Sequence, residues 1–231
     1  MTSTGNLMRS SIGAKIVMAI TGVGLFLFVI AHLLGNLQIF MGQDVINDYG
    51  VLLRRVPELL WAVRIGLLTF VILHIVASIR VSRMNRMART VRYAMHRKQE
   101  TGVAAQTMLW GGLLILAYAV YHLLHFTFRS VNAGYSNLED AMGRHDVYSM
   151  MIGSFKNPVI SVTYIAAMIV LGLHLSHGIG GFLQTLGWGH PRYRAGMRRL
   201  GPIVATLIAA GYISIPVAVL LGILRLPSGV R

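Results

Sequence analysis

The chain contains no cysteine, and only seven of its 231 residues are Asp or Glu. The first absence excludes disulfides, thiolate-held iron–sulfur clusters, thioether-attached haem and cysteine nucleophiles from this chain. The second leaves 21 Lys and Arg almost unopposed, for a net charge of +14. Charged residues of both signs make up only 12% of the sequence, against about 25% in a soluble domain, while apolar residues make up 55%. That balance argues against a water-soluble globule. A strong positive excess points to nucleic acid, a membrane surface or an acidic partner. Here the basic residues lie between long apolar runs, which favours the membrane. There is no short-period repeat and no low-complexity tract. The first apolar run continues through Leu34 to Phe40, well beyond the about 7–15 residues of a signal-peptide core, and reads as a retained span.

Five apolar segments are long enough for a hydrocarbon core that takes about 20 helical residues. They cover residues 12–40, 59–81, 106–128, 158–186 and 202–224, so the sequence predicts an all-α integral membrane protein of five helices in one transmembrane domain. Pro57, Pro158 and Pro202 stand where helices are expected to begin, positions that need no amide donor. The longest polar stretch, 129–157, is expected to form an external cap.

The loops set the direction of threading. The stretch 80–98 holds Arg80, Arg83, Arg86, Arg89, Arg92, Arg97 and Lys98, and the stretch 187–201 holds Arg192, Arg194, Arg198 and Arg199, neither with an acid. With Arg9 and Lys15, thirteen of the 21 basic residues fall on one side, which the positive-inside rule makes cytoplasmic. Six acids (Asp44, Asp48, Glu58, Glu139, Asp140 and Asp146) fall on the other. The N-terminus is therefore expected in the cytoplasm and the C-terminus outside. The run 80–98 reads either as topology with phospholipid headgroup binding or as a docking face for an acidic soluble partner protein. It lacks interleaved aromatics and is tethered between two spans, which argues against nucleic acid.

Ionisable residues inside a membrane are rare and tend to be functional. Span one holds His32, span two His74, span three His122 and His125, and span four His174 and His177. His74, His122 and His174 each lie about 15 or 16 residues into their spans, about 24 Å along the helix, and His32 about 20 residues into its longer first span, about 30 Å along. Because successive spans run in opposite directions, this depth sets His32 level with His122 toward the outside, and His74 level with His174 toward the cytoplasm. The two layers are expected about 15–18 Å apart. Two imidazoles at one level of an apolar four-helix bundle suit the axial ligation of a haem, whereas zinc wants four ligands at a site. Within each of spans three and four, the chemistry alone leaves either histidine open. Gly22, Gly24, Gly35, Gly111, Gly112, Gly172, Gly178, Gly180 and Gly181 offer small surfaces, either for a porphyrin edge or for close helix packing.

Other polar residues are candidates to hydrogen-bond a ligand carbonyl or a haem propionate. Ser11, Lys15, Arg80 and Arg83 fall near the inner face, and Asn36, Gln38, Tyr49, Arg54, Arg55 and Glu58 near the outer. Each also reads as an interfacial anchor or a solvated loop charge. Arg64 lies inside span two, one turn past Trp61, and must either snorkel outward or meet a propionate. Trp61 and Trp188 equally suit interfacial belts.

At these residues the sequence resembles a known family. Ala31-His32-Leu33-Leu34-Gly35-Asn36-Leu37-Gln38, Tyr121-His122-Leu123-Leu124-His125-Phe126 and Leu173-His174-Leu175-Ser176-His177-Gly178 are similar to the diheme cytochrome b558-type membrane anchor of succinate dehydrogenase and fumarate reductase. So is the ending Gln184-Thr185-Leu186-Gly187-Trp188 followed by His190-Pro191-Arg192-Tyr193, and the likeness covers 11–224. The resemblance implies a four-helix haem-binding bundle with a fifth helix added. It implies an outer haem b on His32 and His122 and an inner haem b on His74 and His174. The family's span-four ligand precedes a glycine by four residues, which selects His174 before Gly178. His125 and His177 are then neighbours, available to a propionate or quinone. One departure stands out: some diheme members carry a glutamate two residues before the span-four ligand, tied to proton movement, and this chain has Gly172 there.

The resemblance further implies succinate oxidation at a separate flavoprotein, electron passage through a separate iron–sulfur protein, and a membrane quinone, menaquinone ahead of ubiquinone. It places the chain in the electron transport of the tricarboxylic acid cycle, in a bacterial cytoplasmic membrane, with no dicarboxylate site of its own. Two alternatives are a diheme cytochrome b subunit of a membrane hydrogenase or formate dehydrogenase, and a haem-free transporter or proton channel with a histidine relay.

Overall fold

The computed structural model describes residues 10–88, 107–131, 133–135, 137–187 and 194–227. In chain order the helices are α1 (Ser11–Leu37), α2 (Gln43–Leu52), α3 (Pro57–Met87), α4 (Met108–His122), α5 (Val147–Phe155), α6 (Pro158–Thr185) and α7 (Arg194–Leu220). One π-helical turn, Leu123–Thr127, prolongs α4. Among the described residues the only β pairing is an isolated bridge between Glu139 and His145. α1, α3, α4 with its π turn, α6 and α7 are each long and apolar enough to cross a membrane.

Local chemistry fixes several ends. Ser10 caps α1, its Oγ accepting from the Gly13 amide at 2.9 Å. Asn157 caps α6 by accepting from the Val159 amide at 2.9 Å, with Pro158 in the first turn, and Pro57 opens α3 in the same way. Pro202 does not begin the fifth span as the sequence predicts. α7 starts at Arg194 and carries both Pro202 and Pro216 inside it. A Cβ at Gly201 would come within 2.5 Å of the Ser176 carbonyl, so α7 lies hard against α6 here, and tertiary packing overrides the proline's preference. The second span also outruns its expected end at residue 81, because Arg83 and Arg86 are good helix formers and α3 continues to Met87.

Neighbouring spans run antiparallel. Rising numbers in α1 meet falling numbers in α3, with Thr21 beside His74 and Gly24 against Phe70. α4 and α6 do the same, with Gly112 beside His174 and Tyr118 beside Tyr164. The tightest packing joins α6 to α7 and α1 to α3, while α4 leans on α6 and α1 touches both α6 and α7. Among the described residues, α1 with α4 and α3 with α6 make no comparably extended approach. The interior is correspondingly open: among the described residues, α4 has none buried, and α3 buries only Ala77 and Val81.

The best-packed region is one end of the bundle. Ile39, Ile46, Ile152, Phe155, Tyr164 and Ile215 form its core. The stretch 129–157 caps this end, but not as a wholly polar loop, since α5 within it is buried from Ser149 to Phe155. A polar knot ties the cap to α2. Asn47 is fully buried, donates to Asp140 and Asp146, and accepts from the Tyr148 amide. Arg144 bonds Asp44, Asp48 and Asp140 at 2.6–2.7 Å.

Candidate functional site

The four histidines that the depth count sets at two levels stand in two adjacent pairs. His32 of α1 and His122 of α4 have ring centroids 5.8 Å apart, with planes at 84°. His74 of α3 and His174 of α6 have centroids 6.5 Å apart, with planes at 66°. Each pair therefore bridges two helices that are not closely packed on one another. Among the described residues, no group of three or more His, Asp and Glu side chains is placed to hold a metal ion.

Around the His74–His174 pair, which the sequence reading expects toward the cytoplasm, the His74 Nδ1 atom lies 3.1 Å from the Met18 carbonyl and 3.3 Å from Thr21 Oγ1. A carbonyl only accepts, so His74 carries its proton on Nδ1 and bares the lone pair of Nε2. Thr21 turns its own proton to the Val17 carbonyl, leaving its oxygen to accept from the imidazole. Glycine keeps space here. A Cβ on Gly22 would sit 3.2 Å from His74 Cε1, and one on Gly112 would sit 3.6 Å from His174 Cε1. Gly178 and Gly181 follow His174 on the same face of α6, four and seven residues on, and a Cβ at either would meet nothing within 4 Å among the described residues. Two buried atoms in this half have no hydrogen-bond partner among the described residues: His174 Nδ1 and Arg80 Nε. An unpaired buried donor of this kind costs about 1–3 kcal/mol and suits an acceptor brought by a ligand.

Around the His32–His122 pair, expected toward the outside, His32 stacks on Phe28 at 5.3 Å and lies 6.2 Å from Tyr212. Tyr212 is held by a 2.8 Å hydrogen bond to the Val29 carbonyl, so the fifth span supplies part of this wall. His122 Nδ1 meets the Tyr164 hydroxyl at 3.4 Å. His125, three residues on and within the π turn, points elsewhere. It is buried, with Nδ1 2.9 Å from the Tyr164 hydroxyl and Nε2 3.1 Å from Ser154 Oγ. Both its ring nitrogens are thus taken within the chain. π turns cluster at functional sites, and this one separates the roles of two histidines that share a helix.

The remaining candidates are scattered. Ser11, Lys15, Arg83 and His177 are exposed. Arg64 is exposed too, with its guanidinium 5.1 Å above the Trp61 ring, a cation–π contact. Asn36 turns back to donate to the His32 carbonyl at 2.7 Å, and Tyr49 packs on Gly35. Arg54, Arg55 and Glu58 are exposed in and after the turn that follows α2. Of the expected glycine contacts, Gly24 receives Phe70 and Gly172 receives Ala209, which is helix packing rather than a ligand surface. Arg9, Arg89, Arg92, Arg97, Lys98, Trp188, His190, Pro191, Arg192 and Tyr193 lie outside the described residues.

Sequence reasoning missed Met18, Thr21, Ser154, Tyr164 and Tyr212. Tyr164 and Tyr212 carried a signal, being polar-tipped aromatics inside spans that seek a partner when buried. The Met18 contribution is a backbone carbonyl and leaves no trace in residue type. Compared with family models, curated proteins and solved structures, the chain matches none of them.

Proposed function

We propose that this chain is the membrane anchor and diheme cytochrome b subunit of a succinate:quinone oxidoreductase. In this reading it passes electrons between a partner iron–sulfur protein and a membrane quinone. The observation that carries the reading is the pairwise approach of four histidines drawn from four different spans. Two metal–imidazole bonds of about 2 Å each, added to the reach of the two rings, come to about 6 Å between centroids. The observed 5.8 and 6.5 Å match that span. Further support comes from the bared Nε2 of His74, the glycines Gly22 and Gly112 that lie against His74 and His174, and the unpaired Arg80 Nε, which suits a propionate.

When bound, the two haems supply reversible one-electron chemistry. His32 with His122 would hold the outer one, and His74 with His174 the inner one. The Met18 carbonyl and Thr21 keep the His74 imidazole in the tautomer that offers Nε2, as outer-shell partners of metal-bound histidines do. Phe28, Tyr212 and Phe126 wall the outer pair from water. Held by two histidines each, the haems would serve electron transfer rather than dioxygen chemistry.

The basic stretches 80–98 and 187–201 face the cytoplasm in this reading, with the N-terminus on the same side. They receive the acidic face of the soluble flavoprotein and iron–sulfur partners, in a bacterial cytoplasmic membrane. Menaquinone is the quinone the reading favours. A reduced-minus-oxidised spectrum of the purified chain, expressed with sufficient haem, tests the first half: two low-spin b haems are expected, and a colourless, iron-free chain ends the proposal. Co-purification with a flavin-containing, succinate-oxidising partner tests the second half, and association with a hydrogenase or formate dehydrogenase instead would refute it.

A further inference from the structure

A line of four hydrogen bonds leads from the cap into the outer histidine pair, and donor counting gives it a direction. Ser154 Oγ donates to the Met150 carbonyl at 2.7 Å, which uses its single proton. Toward His125 Nε2, 3.1 Å away, the serine can therefore only accept. His125 must carry its proton on Nε2, so in the neutral ring Nδ1 is an acceptor. The Tyr164 hydroxyl, 2.9 Å from that nitrogen, donates to it and has no proton left. Its oxygen then meets His122 Nδ1, at 3.4 Å, as an acceptor. His122 is left with its proton on Nδ1 and a bare Nε2.

Water cannot scramble this order. His125, Ser154 and Tyr164 are exposed by only 2%, 1% and 5%. A doubly protonated His125 would place an unpaired charge among Phe126, Tyr121 and Tyr164, a costly burial. The chain of bonds is also cooperative, because each donor polarises the next. At its far end lies a backbone carbonyl of α5, the buried helix of the cap.

We infer that Ser154, His125 and Tyr164 are positioning residues, which fix the tautomer of His122 and set how strongly its Nε2 donates electrons to the outer haem. This rests on the haem reading above. The contrast with the inner pair is built in: His74 meets a carbonyl directly, whereas His122 meets the Tyr164 phenol oxygen, which is backed by His125 and Ser154. The outer pair is thereby coupled to the packing of the cap, and the inner pair is not.

The test uses the full chain with both haems, with the outer haem identified as the one lost in His32→Ala. Tyr164→Phe keeps the ring and removes the acceptor from His122 Nδ1. The imidazole then donates less, the ferric form loses support, and the outer midpoint rises. The expected change is about tenfold in the oxidised-to-reduced ratio at fixed potential, or about 59 mV for a one-electron couple. The inner midpoint stays in place. Ser154→Ala, the milder variant, should move the outer midpoint the same way by less, and it carries the test if Tyr164→Phe fails to hold the outer haem. An outer midpoint unmoved in the haem-replete variants, or both midpoints moved alike, overturns the inference and leaves the haem reading intact. A haem-free parent chain overturns both.

Discussion

Gly22 of α1 lies directly beneath the ring of His74 on α3, so that a Cβ at this glycine would stand 3.2 Å from the imidazole Cε1. That spacing is tight for a methyl group and too short for a branched side chain. The same imidazole is held at Nδ1 by the Met18 carbonyl, four residues earlier on α1. One helix thus both orients the ring and makes room for it.

From this follows the first prediction. Gly22→Val should push His74 off its line toward His174, because the ring cannot retreat without losing its bond to Met18. The inner haem should be lost and the outer kept, halving the haem-to-protein ratio in a pyridine haemochrome assay. Gly22→Ala should lower inner-haem occupancy only partly. Full retention of both haems in Gly22→Val would show that the ring has another place to go.

The proposed haem ligands make the second prediction. His32→Ala or His122→Ala should remove the outer haem alone, and His74→Ala or His174→Ala the inner alone. His177→Ala should keep both, since that side chain is exposed and lies off the His74–His174 contact. The check is the pattern of low-spin signals, one surviving in each of the four ligand variants. If His177→Ala removes a haem and His174→Ala does not, the span-four assignment is reversed.

Much of this arrangement is legible in the residues themselves. Span number, approximate limits and the approximate level of each histidine follow from apolar run length and from the fixed rise of a helix, so that counting pairs span one with span three and span two with span four but leaves His122 or His125, and His174 or His177, open. What is not legible depends on contacts between elements distant in sequence. Nothing in the pair His122 and His125 tells which turns to His32 and which to Ser154, because His125 lies in a π turn and pattern reading assumes a regular helix. The same holds for Pro202, whose place inside α7 comes from Gly201 seating on the Ser176 carbonyl. The buried α5 is hidden because Asp146, Ser149 and Ser154 give it a polar look, although all three are satisfied or enclosed within the cap.

The cap supplies a stability prediction. Asn47 bonds two carboxylates and one backbone amide, all from the stretch 140–148. Asn47→Ala leaves those buried groups short of partners, at a cost of about 2–3 kcal/mol. The expected result is a lower apparent Tm in detergent, with faster hydrogen exchange across 138–155 and little change in α3. Exchange that quickens evenly along the chain would mean that the knot does not act locally.

The last prediction concerns acid. Burial, together with the nearby Arg129 and Arg54 charges, lowers the pKa of His145 below its usual 6.5, against the opposing pull of Asp146 and a backbone bond at Leu138. The unfolded cap therefore binds this proton first, and cap stability should begin to fall as the pH drops below about 6.5. Asp140 acts in a lower window. Burial pushes its carboxyl up, but hydrogen bonds from Asn47, from Arg144 through backbone and side chain, and from the Met142 amide outweigh this and hold it at about 2. Since its ordinary value is 3.8, its contribution is complete above that pH and is lost as the pH falls from about 4 to about 2. Hydrogen exchange of 138–155 followed from pH 7 to pH 2, corrected for the intrinsic rate, should show two losses of protection. Asp140→Asn should abolish the lower one and leave the upper. Protection that grows between pH 7 and pH 5 would contradict the assigned sign for His145.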